Sequence, residues 1–240
     1  MIDRRDWKPE EVLRLVLRVL IGFAASGLLQ ALTMRSGTRV LEGSAGWRPL
    51  VLGQLCLHGA VLASMLSFLR SHGRGWSQGF GLTVGGSSRA VGMGILAGLA
   101  FLPAAYGLQW ATNSWLKSLG VEMPPQTAIR ILTESDVWGR WVLFITAALL
   151  APWVEEMLFR GVAYSFLSDL GWPRMALWGT ALAFGLIHAN RSVLVPLTVF
   201  GYLLGLLYRH SGNLLAPVAA HVTFNTAPFV LLALDIRVDR

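Results

Sequence analysis

Glu155 and Glu156 stand side by side in a chain built of long apolar runs, with Arg160 four residues further on. An ionisable side chain near the middle of a bilayer costs about 2.5–3.5 kcal/mol on insertion scales, so such groups face a protein interior or a water-filled cavity and mark function by default. On a helix Glu156 and Arg160 are related as i and i+4 with the acid first, the favourable order for an ion pair. Glu155 points about 100° away around the same helix and is left without a local cation. One carboxylate is then structural, and the other is free to accept a proton in apolar surroundings, as a general base must.

Partners for Glu155 can be sought by spacing. Phe184 and His188 are i and i+4, and so are His221 and Asn225, so each pair shares one face of a helix. Glu155 lies 14 residues before Asp169 and His188 lies 15 after Pro173. At about 1.5 Å per residue both stand about 20 Å from the same side of the membrane. His221 and Asn225 follow Gly212 by 9 and 13 residues on that same side, about 14–20 Å up. All four groups are expected to meet at one depth.

The elements that must hold them are read from composition. The chain has 240 residues, 54% hydrophobic and 14% charged, where soluble domains carry about a quarter charged residues. The fold expected is an all-α, polytopic membrane helical bundle of about seven or eight transmembrane helices. The net charge of +7 sits between apolar runs and near the N-terminus, which reads as topology rather than as nucleic-acid binding. Arg4, Arg5, Lys8, Arg14 and Arg18 precede and enter the first apolar stretch, placing the N-terminus in the cytoplasm. Arg14 and Arg18 sit late and no clean small-residue cleavage site follows, so this helix is expected to remain rather than be removed as a signal peptide. The single Cys56 permits no intramolecular disulfide.

Further spans are expected at 49–69, at 90–111 with a kink at Pro103, at 138–170 with a kink at Pro152, and at 174–188, 193–209 and 214–234. A short surface helix is expected over 126–136, with Pro124 and Pro125 marking its start, and turns at 169–173 and 210–212. Gly201 and Gly205 give the spacing that lets membrane helices pack closely. Residues 1–240 read as a single integral membrane domain with a catalytic core at about 138–230.

Glu155-Glu156-x-x-x-Arg160, Phe184-x-x-x-His188 and His221-x-x-x-Asn225, in that order within one apolar domain, resemble the CPBP (Abi) family of CAAX proteases and bacteriocin-processing proteins. These intramembrane glutamic endopeptidases are similar to type II CAAX prenyl endopeptidases. The resemblance implies that Glu155, His188, His221 and Asn225 are catalytic, with Glu155 and His188 activating a water and His221 and Asn225 stabilising the oxyanion. It makes Glu156, Arg160 and Phe184 supporting residues. It also implies a peptide or membrane-protein substrate and no cofactor.

Simpler roles compete for each group. Glu156 with Arg160 suits a structural ion pair, and single polar residues often serve as interhelical hydrogen bonds. Two histidines and a carboxylate could also bind zinc, but no compact HExxH motif is present, so no metal is expected. Gln54, His58 and Gln109 read as packing groups. The alternative function is a non-catalytic immunity, chaperone or transport protein that uses the polar cavity for binding, although a transporter should show repeat symmetry or paired broken helices. The short loops and small size point to a prokaryotic inner membrane. The oligomeric state is left open by the sequence.

Overall fold

The computed structural model describes residues 5–36, 47–82, 86–121 and 127–235, and within them the chain is helix and turn without strands. The described residues form nine helices: α1 (Pro9–Ser36), α2 (Trp47–Ser71), α3 (Trp76–Phe80), α4 (Ser87–Ser118), α5 (Thr127–Glu134), α6 (Val137–Asp169), α7 (Pro173–Leu186), α8 (Arg191–Ser211) and α9 (Leu215–Ala233). Among the described residues α1, α2, α4, α6, α8 and α9 are long and apolar enough to cross a membrane. Large apolar side chains such as Ile21, Leu96 and Trp110 are turned outward, as expected where lipid is the solvent. The chain is an integral membrane protein and a helical bundle.

The expected seven or eight spans exceed these six, and of those placed on the sequence the one that falls short is the helix expected at 174–188. That helix is α7, which has 14 residues, about 21 Å against a hydrocarbon core of about 30 Å. It ends at Leu186, so His188 lies beyond the helix rather than within it. The expected surface helix is found as α5, and Pro124, Pro125 and Gln126 lie outside the described residues.

The chain gathers into two compact units, one formed by Met1–Trp7, Arg74–Pro124 and Glu155–Phe224, the other by Lys8–Gly73, Pro125–Val154 and Asn225–Arg240. In the second unit α1 lies along α2, where the Ser26 hydroxyl donates to the Gly53 carbonyl at 2.7 Å. Val51, Ile131, Leu132 and Leu143 form its core, with Phe229 and Leu232 packed on them. Asp136 caps α6 by accepting from the Gly139 N–H at 2.7 Å, which satisfies an N–H that the helix start leaves unpaired.

The first unit is organised by close helix contacts. A Cβ at Gly94 would collide with the Ala216 carbonyl oxygen, and one at Gly98 would come within 2.7 Å of the Ala220 carbonyl oxygen. Gly201 sits against the Ala181 backbone and Gly205 against Leu177, so the paired glycines do bring α8 onto α7. Between these helices Phe101, Ala105, Phe159, Phe184, Phe200, Leu204 and Ala220 make one core. Gly94→Ala is expected to lower stability by about 1–3 kcal/mol, the usual range for overpacking. Thermal unfolding in detergent checks this, and an unchanged midpoint would show that the contact yields.

Helix α6 has an unusual interior. Two π-helical stretches, Phe144–Leu150 and Met157–Tyr164, bracket the α-helical residues Ala151–Glu156. Proline lacks an N–H and its ring crowds the carbonyl four residues back; for Pro152 that carbonyl belongs to Ala148, inside the first wide stretch, where the looser turn accommodates it. The helix therefore continues through Pro152. At its far end the Gly171 and Trp172 N–H groups bond to the Ser168 and Leu167 carbonyls, with Gly171 at φ 88°. Such a left-handed cap favours glycine, and Pro173 then opens α7.

Candidate active site

The two adjacent carboxylates of α6 have different surroundings. Glu156 and Arg160 are both fully buried, and Arg160 Nη1 donates to Glu156 Oε1 at 2.9 Å, the i and i+4 pair expected from spacing. Arg160 Nη2 donates to the Gly201 carbonyl at 2.7 Å. Its guanidinium carbon lies 5.0 Å from the Phe184 ring centroid and 5.7 Å from that of Phe159. Ionic, hydrogen-bond and cation–π contacts together hold one buried cation. Glu155, by contrast, is 21% exposed at its side chain; its Oε2, like Glu156 Oε2 and Arg160 Nε, has no hydrogen-bond partner among the described residues.

His221 stands between them. Its Nδ1 is 2.9 Å from the same Glu156 Oε1, and its Nε2 is 3.9 Å from Glu155 Oε2. A carboxylate oxygen can only accept, so Nδ1 is assigned as the donor, and in the tautomer protonated at Nδ1 alone Nε2 is bare toward Glu155. The rings of Phe184 and Phe200 meet the imidazole edge to face, with centroids 5.3 and 5.6 Å away. Sequence, packing and tautomer thus agree on one orientation for His221.

His188 is placed differently from the sequence expectation. It is exposed in the turn after α7, where Ala189 takes φ 47° and Asn190 caps α8 by accepting from the Ser192 N–H. Its Nδ1–H donates to the Phe184 carbonyl at 2.8 Å, and the two rings are 5.1 Å apart. The i and i+4 relation survives as a bond across the end of α7, and it also leaves Nε2 bare. The bond goes to Phe184 and not to Glu155, so Phe184 is the element through which His188 is tied to His221 and Arg160.

Asn225 lies one turn after His221 on α9. Its Nδ2 donates to the Ala147 carbonyl at 3.0 Å, in the first wide stretch of α6. A primary amide has a second N–H and a carbonyl oxygen beyond that bond. Among the described residues no three His, Cys, Asp or Glu side chains are grouped to hold a metal ion.

Two contributors were not singled out from the sequence. Phe200 braces His221 and is stacked on Phe101 and Phe224 at 5.2 and 4.3 Å. The Gly201 carbonyl receives Arg160, although Gly201 was legible only as a packing glycine. A phenylalanine in an apolar helix and a backbone oxygen leave no chemical signal in a sequence.

Comparison with known proteins bears on the same segment. Residues 137–227 match the family model described as "Type II CAAX prenyl endopeptidase Rce1-like". Two curated relatives come from Bacillus subtilis (strain 168). The chain is 34% identical over 84 residues to the "Uncharacterized protein YpbD", covering 33% of this chain and 39% of that protein. It is 22% identical over 155 residues to the "Putative membrane peptidase YdiL", covering 63% of this chain and 62% of that protein. The matched stretches thus span less than two thirds of either relative. No solved structure matches significantly. The resemblance drawn from residues 155–225 is borne out over 137–227.

Proposed function

We propose that this chain is a membrane-embedded endopeptidase that cleaves a peptide tail or a membrane-associated protein, with Glu155 as the general base. One observation carries the reading: of two neighbouring carboxylates, Glu156 is fully buried and shared by Arg160 and His221, while the Glu155 side chain is 21% exposed and turns Oε2 toward His221 Nε2 at 3.9 Å. The first is fixed as an anchor, and the second is available to a substrate and a water. The Rce1-like match over 137–227 supports a CAAX-directed peptidase.

In the proposed reaction Glu155 takes a proton from water, and the bare Nε2 of His188 serves as a second acceptor that orients it. The hydroxide attacks the scissile carbonyl. While Glu155 lends that proton to the bare Nε2 of His221, before taking it back at collapse, Nε2–H and the Asn225 amide donate to the developing oxyanion, a contribution worth about 3–4 kcal/mol per donor in other acyl-transfer sites. Collapse of the tetrahedral intermediate breaks the C–N bond, and Glu155 returns its proton to the leaving amine. Glu156 balances the charge on His221 throughout.

In orientation, Arg5 and Asp6 donate their backbone N–H groups to Asp169, and Gly81 approaches the Gly212 carbonyl and Arg5. These contacts support placing the turns at 169–173 and 210–212 on the side of residue 5, which the basic N-terminal residues put toward the cytoplasm, and the short loops and small size fit a prokaryotic inner membrane.

Purified chain in liposomes should cleave a prenylated CAAX reporter peptide. Glu155→Gln should lower that rate by about 10²–10⁴-fold, the usual range for a positioned base. Equal rates for the two proteins would sink the assignment of Glu155, and a phenotype in cells that survives the substitution would favour a binding protein.

A further inference from the structure

Residues 5–7 are tied to the catalytic unit at several points. The Arg5 and Asp6 N–H groups donate to Asp169 Oδ2 at 2.8 and 3.1 Å, and Arg5 Nη1 donates to the Gln78 carbonyl at 2.6 Å. Trp7 is 4% exposed, and the Arg74 guanidinium carbon lies 5.4 Å from its ring centroid. Its indole Nε1–H donates to the Gly161 carbonyl at 3.1 Å.

Gly161 immediately follows Arg160 in the second π-helical stretch of α6. A wide turn and its return to α-helical spacing match carbonyls and N–H groups poorly, so donors from outside the ladder stabilise it. Two consecutive carbonyls here have such donors: Ser165 Oγ donates to the Arg160 carbonyl at 3.0 Å, and Trp7 donates to that of Gly161. The other flank of Gly161 is closed by the Phe80 ring, which occupies the space a Cβ would need. The turn is therefore gripped from both sides.

We propose that Trp7 is a positioning residue of the site, holding the wide turn that aims Arg160 at Glu156 and thereby fixes the ring of His221. The proposal rests on the peptidase reading for its effect on rate, while its effect on the turn is independent of substrate. A straight run of α-helix after Glu156 would rotate residue 160 and its guanidinium relative to Gly201. Trp7 acts at the backbone between the two. Arg5 and Asp6, bound to the end of the same helix, keep Trp7 in register.

Trp7→Phe keeps an aromatic ring beside Arg74 and removes the donor. Loss of one hydrogen bond corresponds to about a 2–10-fold change in an equilibrium or rate. In the full chain in liposomes, amide hydrogen exchange over 157–166 should quicken by that factor while 137–150 is unchanged. Cleavage of the prenylated CAAX reporter, per folded molecule, should fall in kcat by a similar factor with KM unchanged. That loss should vanish when Arg160 is already lysine, since Trp7 acts through it. Unchanged exchange over 157–166, or wild-type kcat per folded molecule, would overturn the proposal. If Trp7→Phe does not accumulate, Asp169→Ala releases the same strap without altering the indole and carries both readouts with the same criteria. If even the wild-type chain leaves the reporter intact, the peptidase reading falls separately, and exchange still decides whether Trp7 holds the turn.

Discussion

Arg160→Ala is expected to destabilise the folded chain by about 3–5 kcal/mol, the range for removing one partner of a buried ion pair. Glu156 is fully buried, and without the guanidinium its charge keeps only His221 as a donor. The Gly201 carbonyl loses its donor at 2.7 Å, and the faces of Phe159 and Phe184 lose the cation above them. Removing both charges with Arg160→Met and Glu156→Gln together should be milder, because no uncompensated charge remains. Denaturant unfolding in detergent separates the cases. A loss below about 1 kcal/mol for Arg160→Ala would show that water reaches Glu156, since only solvent-exposed pairs are worth so little.

Glu156→Gln should reduce cleavage by about 10²–10⁴-fold in the molecules that fold. A carboxylate can only accept from His221 Nδ1, so the ring is held with its proton on that nitrogen and Nε2 toward Glu155. A glutamine amide can also donate, which admits the other tautomer and turns a donor position into an acceptor. In serine-protease triads an acid-to-amide change of this kind lowers kcat by about 10⁴-fold while leaving the geometry intact. The measurement is kcat on the prenylated CAAX reporter, normalised to folded protein. A loss confined to folded yield, with kcat intact, would assign Glu156 to structure alone.

Much of this site was legible because charge is conspicuous in an apolar chain. Glu156 and Arg160 could be paired from spacing alone, and the depth count brought His221 to the level of Glu155, where the structure places its Nε2 at 3.9 Å. The bundle itself followed from apolar runs broken by Arg70, Arg74 and Arg89 and by the Gly171 and Gly212 turns. His188 shows where counting stops working. The helical period continues through Ile187 on paper, but Ala189 and the Asn190 cap end α7 early, so the histidine reaches Phe184 across a helix terminus. The wide turns of α6 were equally hidden, since π-helical spacing depends here on side-chain donors outside the backbone ladder, Ser165 from the same helix and Trp7 from the far N-terminal segment, rather than on local propensity. Trp7 itself carries no sequence signal that separates it from an interfacial anchor.

The central claim, that Glu155 drives hydrolysis of a peptide bond, is tested most directly in cells. Membrane-associated peptides and protein termini would be compared by mass spectrometry between cells carrying the wild-type chain and cells carrying Glu155→Gln, at matched protein levels. The account predicts at least one terminus that is present with wild type and absent with Glu155→Gln, and that terminus names the substrate. Identical profiles, in cells that still differ from a strain lacking the chain, would contradict it and leave the polar cluster as a binding site without cleavage.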